Sequence, residues 1–594
     1  MSCFWPGRVI VASTAGTVEA TLGLLSEYTN ERTEVAYSVE DILRHYHFHE
    51  PLELMLKAGV ALPFAARVPE GEEVAWAERF ARVPSVVYST PDFFVRPTGS
   101  ALALGKPQID QALESISCLD DDPNYGAGVR IAILDTGIER TFLSPACKLT
   151  GQYDSEMRRQ GPDALAFEDS VGHGSLVGHI VNRIAPRAEL LSVKVMNSVG
   201  TMGGFLAGIF LAEAEFKPTI FNLSLSVSCD QELCPVCQTA RSQSVNANQL
   251  KFLLDNATRT RTVEELPLYV AAAGNGRKSI SVPAAFSKVI AVGAYDTMTG
   301  TEAEYSRYTS VPQDRFILAP GGSRGSGAAF AQRAGGREWD TGGWLFGTSF
   351  STAFVTGVLA RYLGLPRNSA AARDPYLFAI SCLRASAHKG LRGYEPSKHG
   401  LGIVNWNEDF EEELALNVSS ANIEKVQIFV LLDTTGSMTD VRARVTTHIE
   451  SLGTSGIKDA VFRLVLYSDH HDPYTVYVQR VSESLEEIID GIKSAPVTDG
   501  SDVPEALEDA IHFVNEQINS MKLHRVHVVV FTDAAPHTPK ECPFGYDFAE
   551  EVRQLKASGA RFEIVDCKGD LVNGAAQSFG LMDVSTLDQH GWTI

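Results

Sequence analysis

The sequence predicts an α/β protein built on doubly wound parallel sheets, and three observations carry that reading. Short apolar strands alternate with helical stretches after residue 107, a second series of the same kind begins at Val426, and a small α/β unit precedes both. Strands in βα alternation pair in parallel with helices on both faces, and they place reacting groups at their carboxyl ends. A chain of 594 residues has room for about three domains, each able to bury its own core. Two composition shifts set the expected boundaries at 1–100, 107–410 and 421–594: a Pro, Gly, Ser and Ala stretch from Pro97 to Lys106, and an acidic, weakly patterned stretch from Asn407 to Lys425.

In the first unit, Arg8–Ala12 and Pro84–Ser89 read as strands, with helices over Val18–Tyr28 and Glu73–Arg82. His45, His47 and His49 alternate at period two; on a strand they would share one face, as a polar stripe or a metal site, and a short helix is the other reading. In the second unit the strands are Val129–Leu134, Leu191–Val195, Ile220–Leu225, Leu268–Ala272 and Val289–Val292, alternating with helices at Ser175–Ile184, Phe205–Phe216 and Asn248–Thr258. In the third they are Val426–Leu432, Phe462–Tyr467, Val526–Phe531 and Arg561–Val565, with a helix over Val503–Ile518.

The formal charge of −22 argues against nucleic acid or an anionic membrane as partner, since both require a basic footprint. No run approaches the roughly 18 apolar residues of a membrane helix. The N-terminus has no charged region followed by a long apolar core, and nine cysteines, an odd number, suit a reducing compartment. A cytoplasmic location is therefore expected.

Chemistry is concentrated in three short motifs. Gly347-Thr348-Ser349 leads into a run of small and apolar residues, so Ser349 falls in the first turn of a buried helix. Unpaired N–H groups and the helix dipole there would stabilise a developing oxyanion. A serine needs a base and an orienting acid to become a nucleophile. Upstream lie Asp135-Thr136-Gly137 at a strand end and Gly172-His173-Gly174-Ser175 at a helix start.

The order Asp, His, Ser is that of subtilisin-type triads, and residues 119–405 resemble the subtilisin family of serine peptidases. The resemblance implies a subtilisin-like doubly wound parallel sheet with Ser349 as nucleophile, His173 as general base and Asp135 as the group that orients the imidazole. Ala272-Ala273-Gly274-Asn275 resembles the family's oxyanion segment, with Asn275 as donor. Asn222–Ser226 resembles its substrate-pairing strand, so Ser224, Leu225 and Ser226 would bind an extended peptide. Ala273 and Gly274 would line the primary pocket, and Ser281 its floor. Ala353 stands where the family usually has proline. Residues 83–92 resemble the tail of a subtilisin propeptide. That match implies a small ferredoxin-like α/β prodomain, an inhibitor and chaperone whose exit strand pairs with Ser224–Ser226, and a self-cut between Val95 and Lys106. Cys229, Cys234 and Cys237 form an insertion that zinc, a labile Cys234–Cys237 bridge or inert thiols would each explain. The glycine-rich Pro320–Gly327 lacks the ending of a phosphate loop and reads as a surface loop.

Residues 424–590 resemble von Willebrand factor A domains, which have a Rossmann-like fold. Asp433-x-Thr435-x-Ser437 matches the family's metal-ion-dependent adhesion site, Phe531-Thr532-Asp533 its second aspartate loop and Gly500-Ser501-Asp502 its middle loop. The resemblance implies Mg²⁺, or Mn²⁺ or Ca²⁺, on Asp433, Thr435, Ser437, Ser501 or Asp502, and Asp533, open to a partner's carboxylate. The expected protein is a zymogen-like serine endopeptidase that needs no cofactor for catalysis, acts on a protein or peptide substrate, and recruits a substrate or protein partner through its last domain. The alternative is a binding scaffold in which the A-type domain works and the peptidase domain is regulatory or inactive.

Overall fold

The computed structural model describes residues 4–97, 100–101, 109–155, 171–227, 256–308, 315–322, 345–365, 375–407, 425–452, 460–468, 476–495, 506–538, 546–568 and 584–586, apart from isolated positions within them, together with Asp169, Leu254, Val497 and Cys542. The chain divides into two compact units. One is made of Met1–Ser310, Arg315–Asn368 and Pro375–Phe410; the other is centred on Glu411–Ile594.

The first unit opens with four antiparallel strands, β1 (Phe4–Ser13), β2 (Glu34–Ser38), β3 (Phe64–Arg67) and β4 (Val86–Pro97), in the order β4-β1-β3-β2. Alternation places Val9 and Val11 of β1 on one face, where they pack with Phe64 of β3 and with Leu25, Trp76 and Phe80. Those last three come from helices Val18–Thr29 and Glu73–Ala81. The histidines at 45, 47 and 49 are not on a strand. His45 ends helix Val39–His45, which Ser38 caps by accepting from Asp41 N–H, and His49 begins helix His49–Lys57. A cap and an acidic first turn, Glu40 and Asp41, favour the short-helix reading over the period-two strand.

Strand β5 (Ser100–Ala101) follows within the stretch expected as a linker. The core strands come next: β6 (Arg130–Asp135), β7 (Lys148–Asp154), β8 (Glu189–Lys194), β9 (Gly200–Thr201), β10 (Ile220–Leu223), β11 (Leu225–Val227), β12 (Leu268–Ala272), β13 (Val289–Asp296), β14 (Thr301–Glu302), β15 (Phe316–Pro320) and β16 (Leu345–Phe346). Strands β7-β8-β6-β10-β12-β13 run side by side in parallel; β15 adds in parallel to β13, and β14 is antiparallel. The chain leaves β6 toward β7 and β8 on one side and later returns to β10 on the other. The sheet therefore reverses direction at β6, and crevices for ligands form at such a switch point. Asp135 is the last residue of β6.

Helix Thr348–Gly364 is buried from Thr348 to Leu363 and packs on helix His173–Ile184. A Cβ on Gly357 would lie 2.6 Å from Ile184 Cβ, so the missing side chain lets the two helices approach. The segment expected as one strand over Ile220–Leu225 is broken at Ser224. β10 stays in the core sheet, while β11 pairs antiparallel with β4, Leu225 opposite Pro97 and Val227 opposite Val95. On its other edge β4 pairs with β9, Val95 opposite Gly200. The first two expected domains are thus joined by a shared sheet within one unit.

The second unit holds β17 (Val426–Asp433), β18 (Ala460–Tyr467), β19 (Val476–Ser482), β20 (Val526–Thr532), β21 (Arg561–Asp566) and β22 (Val584–Thr586), in the order β19-β18-β17-β20-β21-β22 with only β19 antiparallel. Every residue of β17 is buried. Ile428, Val430 and Leu432 face one core, and Phe429 and Leu431 the other. Both faces are covered, which is why this strand reads as a continuous apolar run rather than an alternating one. Asp433 ends β17, and Asp533 directly follows β20 beside it.

Candidate active site and oxygen cluster

Asp135 Oδ1 lies 2.7 Å from His173 Nδ1, and both side chains are almost wholly buried. Burial alone would pull the imidazole pKa down; the Asp135 charge and hydrogen bond, with the charge of Asp169, outweigh it and raise the pKa above its ordinary value. Asp135 Oδ1 also accepts from Thr136 N–H at 2.7 Å. The strand end can approach the helix start because residue 174 is glycine: a Cβ there would sit 2.2 Å from Gly137 O and 3.0 Å from Asp135 Oδ1.

One residue that the motifs did not single out holds this geometry. Asp169 is buried; its Oδ1 accepts from Gly172 N–H at 2.7 Å and from Thr136 Oγ1 at 2.8 Å, and its Oδ2 from Ser175 N–H and Oγ at 2.9 and 2.8 Å. It serves as cap for the His173 helix and ties that helix to the Asp135 turn. An Asp a few residues before a helix start is a capping signal that sequence reading can find.

Ser349 begins the second turn-facing edge of the site. Its Oγ donates to Ser224 O at 2.9 Å, and Ser224 Oγ donates back to Ser349 O at 2.9 Å. Among the described residues His173 Nε2 has no hydrogen-bond partner, so the Ser349–His173 bond expected of a triad is not made in this state. Asn275 Oδ1 accepts from both N–H and Oγ1 of Thr348, each at 3.1 Å, and Thr348 Oγ1 accepts from Gly274 N–H at 3.1 Å. These bonds fix the acceptor end of the Asn275 amide against the turn that carries Ser349. Gly274 has φ +104°, and Ser281 Oγ donates to Ala273 O at 2.9 Å, so Ala273, Gly274 and Ser281 are brought together beside Asn275. Ala353 lies in the buried helix without disturbing it.

The chain's own β4 and β5 run through this site. Pro97 is opposite Leu225 and Arg96 opposite Ser226, while Ser100 is opposite Phe346, three residues before Ser349. Asp92 on β4 reaches into the core domain. Its Oδ1 accepts from Gly203 N–H at 3.0 Å, at the start of helix Met202–Glu215, and its Oδ2 accepts from Tyr37 O–H at 3.1 Å. Burial lifts its pKa to about 6.

In the second unit, Asp433 Oδ1 accepts from Thr435 N–H at 2.9 Å and from Thr435 Oγ1 at 2.7 Å, and its Oδ2 accepts from Thr532 Oγ1 at 3.1 Å. Ser437 Oγ lies 3.1 Å from Thr435 Oγ1 and donates to Asp533 Oδ1 at 3.0 Å. Burial, reinforced by the Asp533 charge, pushes Asp433 up to about 6. The Lys568 ammonium sits 2.6 Å from Asp533 Oδ2, a contact no motif announced. Ser501 and Asp502 lie outside the described residues, as do Cys229, Cys234 and Cys237.

Residues 126–374 match the profile of the subtilase family, so this part of the chain is a subtilase-family domain. The M-protease of Shouchella clausii is 30% identical over 250 residues, covering 40% of this chain and 54% of its own. The thermostable alkaline protease of Halalkalibacterium halodurans is 29% identical over 248 residues, 40% of this chain and 57% of its own. The chain thus spans little more than half the length of these two relatives. Fervidolysin from Fervidobacterium pennivorans, a keratinolytic enzyme related to subtilisin, superposes with a TM-score of 0.46 at 16% identity, over 68% of this chain and 60% of that one. No helix among the described residues is long and apolar enough to cross a membrane.

Proposed function

We propose that this chain is a subtilisin-like serine endopeptidase made as a zymogen, with Ser349 as nucleophile, His173 as base and Asp135 as its orienting acid. The observation that carries the reading is the buried 2.7 Å Asp135–His173 bond set beside the Ser349 helix start and the Thr348-anchored Asn275. Asp135 fixes the imidazole tautomer and favours the imidazolium that forms when Ser349 is deprotonated. Asn275 Nδ2 and the Ser349 N–H then stabilise the tetrahedral oxyanion. A rotation about χ1 of Ser349, from Ser224 O to His173 Nε2, completes the relay, and catalytic hydrogen bonds commonly tighten only with substrate in place.

Residues 1–100 act as a ferredoxin-like prodomain whose last strand occupies the substrate strands. Pairing of β4 with β9 and β11 supports this, because an extended peptide added to a sheet edge is how such clefts hold substrate. The self-cut falls between Val95 and Lys106, where the chain passes from pairing with Leu225–Val227 to pairing with Leu345–Phe346. A fluorophosphonate probe tests the peptidase reading: it should label Ser349 in the cut wild-type chain and not in Ser349→Ala. Failure to label the wild type after prodomain removal would favour the scaffold reading.

The second unit acts as a von Willebrand factor A-type recruiting domain. Its donor set is all oxygen, and Asp433, pushed up by burial and further by the Asp533 charge, is a site that a divalent cation would relieve, so the residues fit Mg²⁺. Asp433, Thr435, Ser437 and Asp533 would hold the ion, which when bound offers a position for a carboxylate from a protein partner or substrate. Recruitment of that kind raises the local substrate concentration and leaves turnover of short peptides unchanged. The domain boundaries 107–410 and 421–594 and the expected cytoplasmic setting belong to the same reading.

A further inference from the structure

A second ligand-rich cluster lies in the A-type unit, apart from the Asp433 cluster. Glu508 and Asp509 stand in the first turn of helix Leu507–Met521, and Cys542 comes from the segment after β20. A carboxylate oxygen of each acid and the Cys542 sulfur all lie within 4.8 Å of one another, and all three residues are buried. Cys542 is a free thiol and donates to Asp509 Oδ2 at 3.7 Å. His537 holds Glu508 from the other side: its Nδ1 lies 3.1 Å from Oε1, and its N–H donates to Oε2 at 3.1 Å.

Acidic residues in a first helical turn are commonly explained by the helix dipole, but such residues normally remain solvated. Here they are drawn under the surface, side by side, with a thiol between them and an imidazole behind.

We propose that Glu508, Asp509 and Cys542 form a zinc-type metal site, with His537 as the residue that orients Glu508. A thiolate selects a borderline-soft ion such as Zn²⁺ or Co²⁺ over Mg²⁺, which the all-oxygen cluster at Asp433 prefers. Tetrahedral zinc ligands at their usual bond lengths sit roughly 3.3–3.8 Å apart. The present spacing closes to that range by side-chain shifts of about 1 Å. Binding expels the Cys542 thiol proton and any proton held by Glu508 to solvent, so metal uptake releases acid. A carboxylate–histidine pair behind a ligand fixes its direction.

The test is cobalt titration of the full-length chain carrying Ser349→Ala, stripped of metal, in a background with Cys229→Ser, Cys234→Ser and Cys237→Ser. The expected result is one equivalent of Co²⁺ with near-ultraviolet thiolate-to-cobalt charge-transfer absorption, bleached by one equivalent of Zn²⁺. Cys542→Ser should abolish that absorption. The nearly isosteric Asp509→Asn should weaken cobalt binding at least about ten-fold. Cys567 lies near Asp433 and Asp533 and stays in this background, so the Cys542→Ser arm is what separates the two clusters: a band from cobalt at the oxygen cluster would survive it. Absence of the band in the triple-Ser background, or a band indifferent to both Cys542→Ser and Asp509→Asn, overturns the proposal.

Discussion

Asn275 makes two separable contributions, and two substitutions can divide them. Its Oδ1 anchors Thr348 through two bonds of 3.1 Å, which holds the turn that presents Ser349; its Nδ2 is the proposed oxyanion donor. Asn275→Ala removes both functions. Asn275→Asp keeps an acceptor for Thr348 and removes the donor, placing a carboxylate where negative charge develops. If the donor dominates, each variant should lose about 10²–10³ in kcat, or about 3–4 kcal/mol of transition-state stabilisation. KM should stay within roughly three-fold, because the ground-state carbonyl makes little use of that amide. The assay is steady-state hydrolysis of a chromogenic peptide by the processed enzyme, with the fraction of fluorophosphonate-reactive Ser349 as the count of active sites. Retention by Asn275→Asp of kcat within ten-fold of wild type would show that the amide only positions Thr348, and the oxyanion assignment would fall.

The same geometry yields three further expectations. Intact-mass analysis should find the wild-type chain cut between Val95 and Lys106 and the Ser349→Ala chain whole; identical full-length masses would mean a permanently attached N-terminal domain. Asp92 titrates at about 6 in the folded chain, above the ordinary Asp value, so its contribution to stability is fully present below that ordinary value and lost as pH rises through about 6. In the Ser349→Ala background, Asp92→Asn should therefore flatten the fall in melting temperature between pH 5 and pH 7.5, and an unchanged slope would refute the assignment. Lys568→Met should tighten Mg²⁺ binding by about two- to five-fold in calorimetry on that chain, since it removes a part-exposed ammonium competing for Asp533; unchanged or weaker binding would refute the competition.

Much of this was legible in residue order because the strands are buried on both faces. Val426–Leu432 reads as an apolar run and forms β17 over Val426–Asp433, and Leu268–Ala272 is the strand as read. Helix ends were less legible. The helix read from Phe205 starts at Met202, because Thr201 caps it by accepting from Gly204 N–H. The histidines at 45, 47 and 49 mislead for the same reason, a cap overriding a short periodic pattern. Motifs pointed to Asp135, His173, Asn275 and Ser349, because the chemistry proposed for them needs fixed neighbours in sequence. They missed Asp169 and Lys568, and the tie of Thr348 to Asn275, because these partners lie across turns or on other strands. The exit strand was expected against Ser224–Ser226, and the register runs one residue on, over Leu225–Val227.

That one-residue difference has a structural cause. Ser224 is engaged with Ser349 in both directions, its carbonyl accepting from Ser349 Oγ and its hydroxyl donating to Ser349 O. A residue held in this way leaves the core sheet and cannot join the ladder of β11, so the pairing with β4 begins at Leu225. On the proposed reading, Ser349 must exchange Ser224 O for His173 Nε2 before it can react. The paired β4 would also have to leave β11 before another peptide could add there. Those would be two separate controls on the proposed nucleophile: processing would remove the second, and a peptide in the cleft would reward the first.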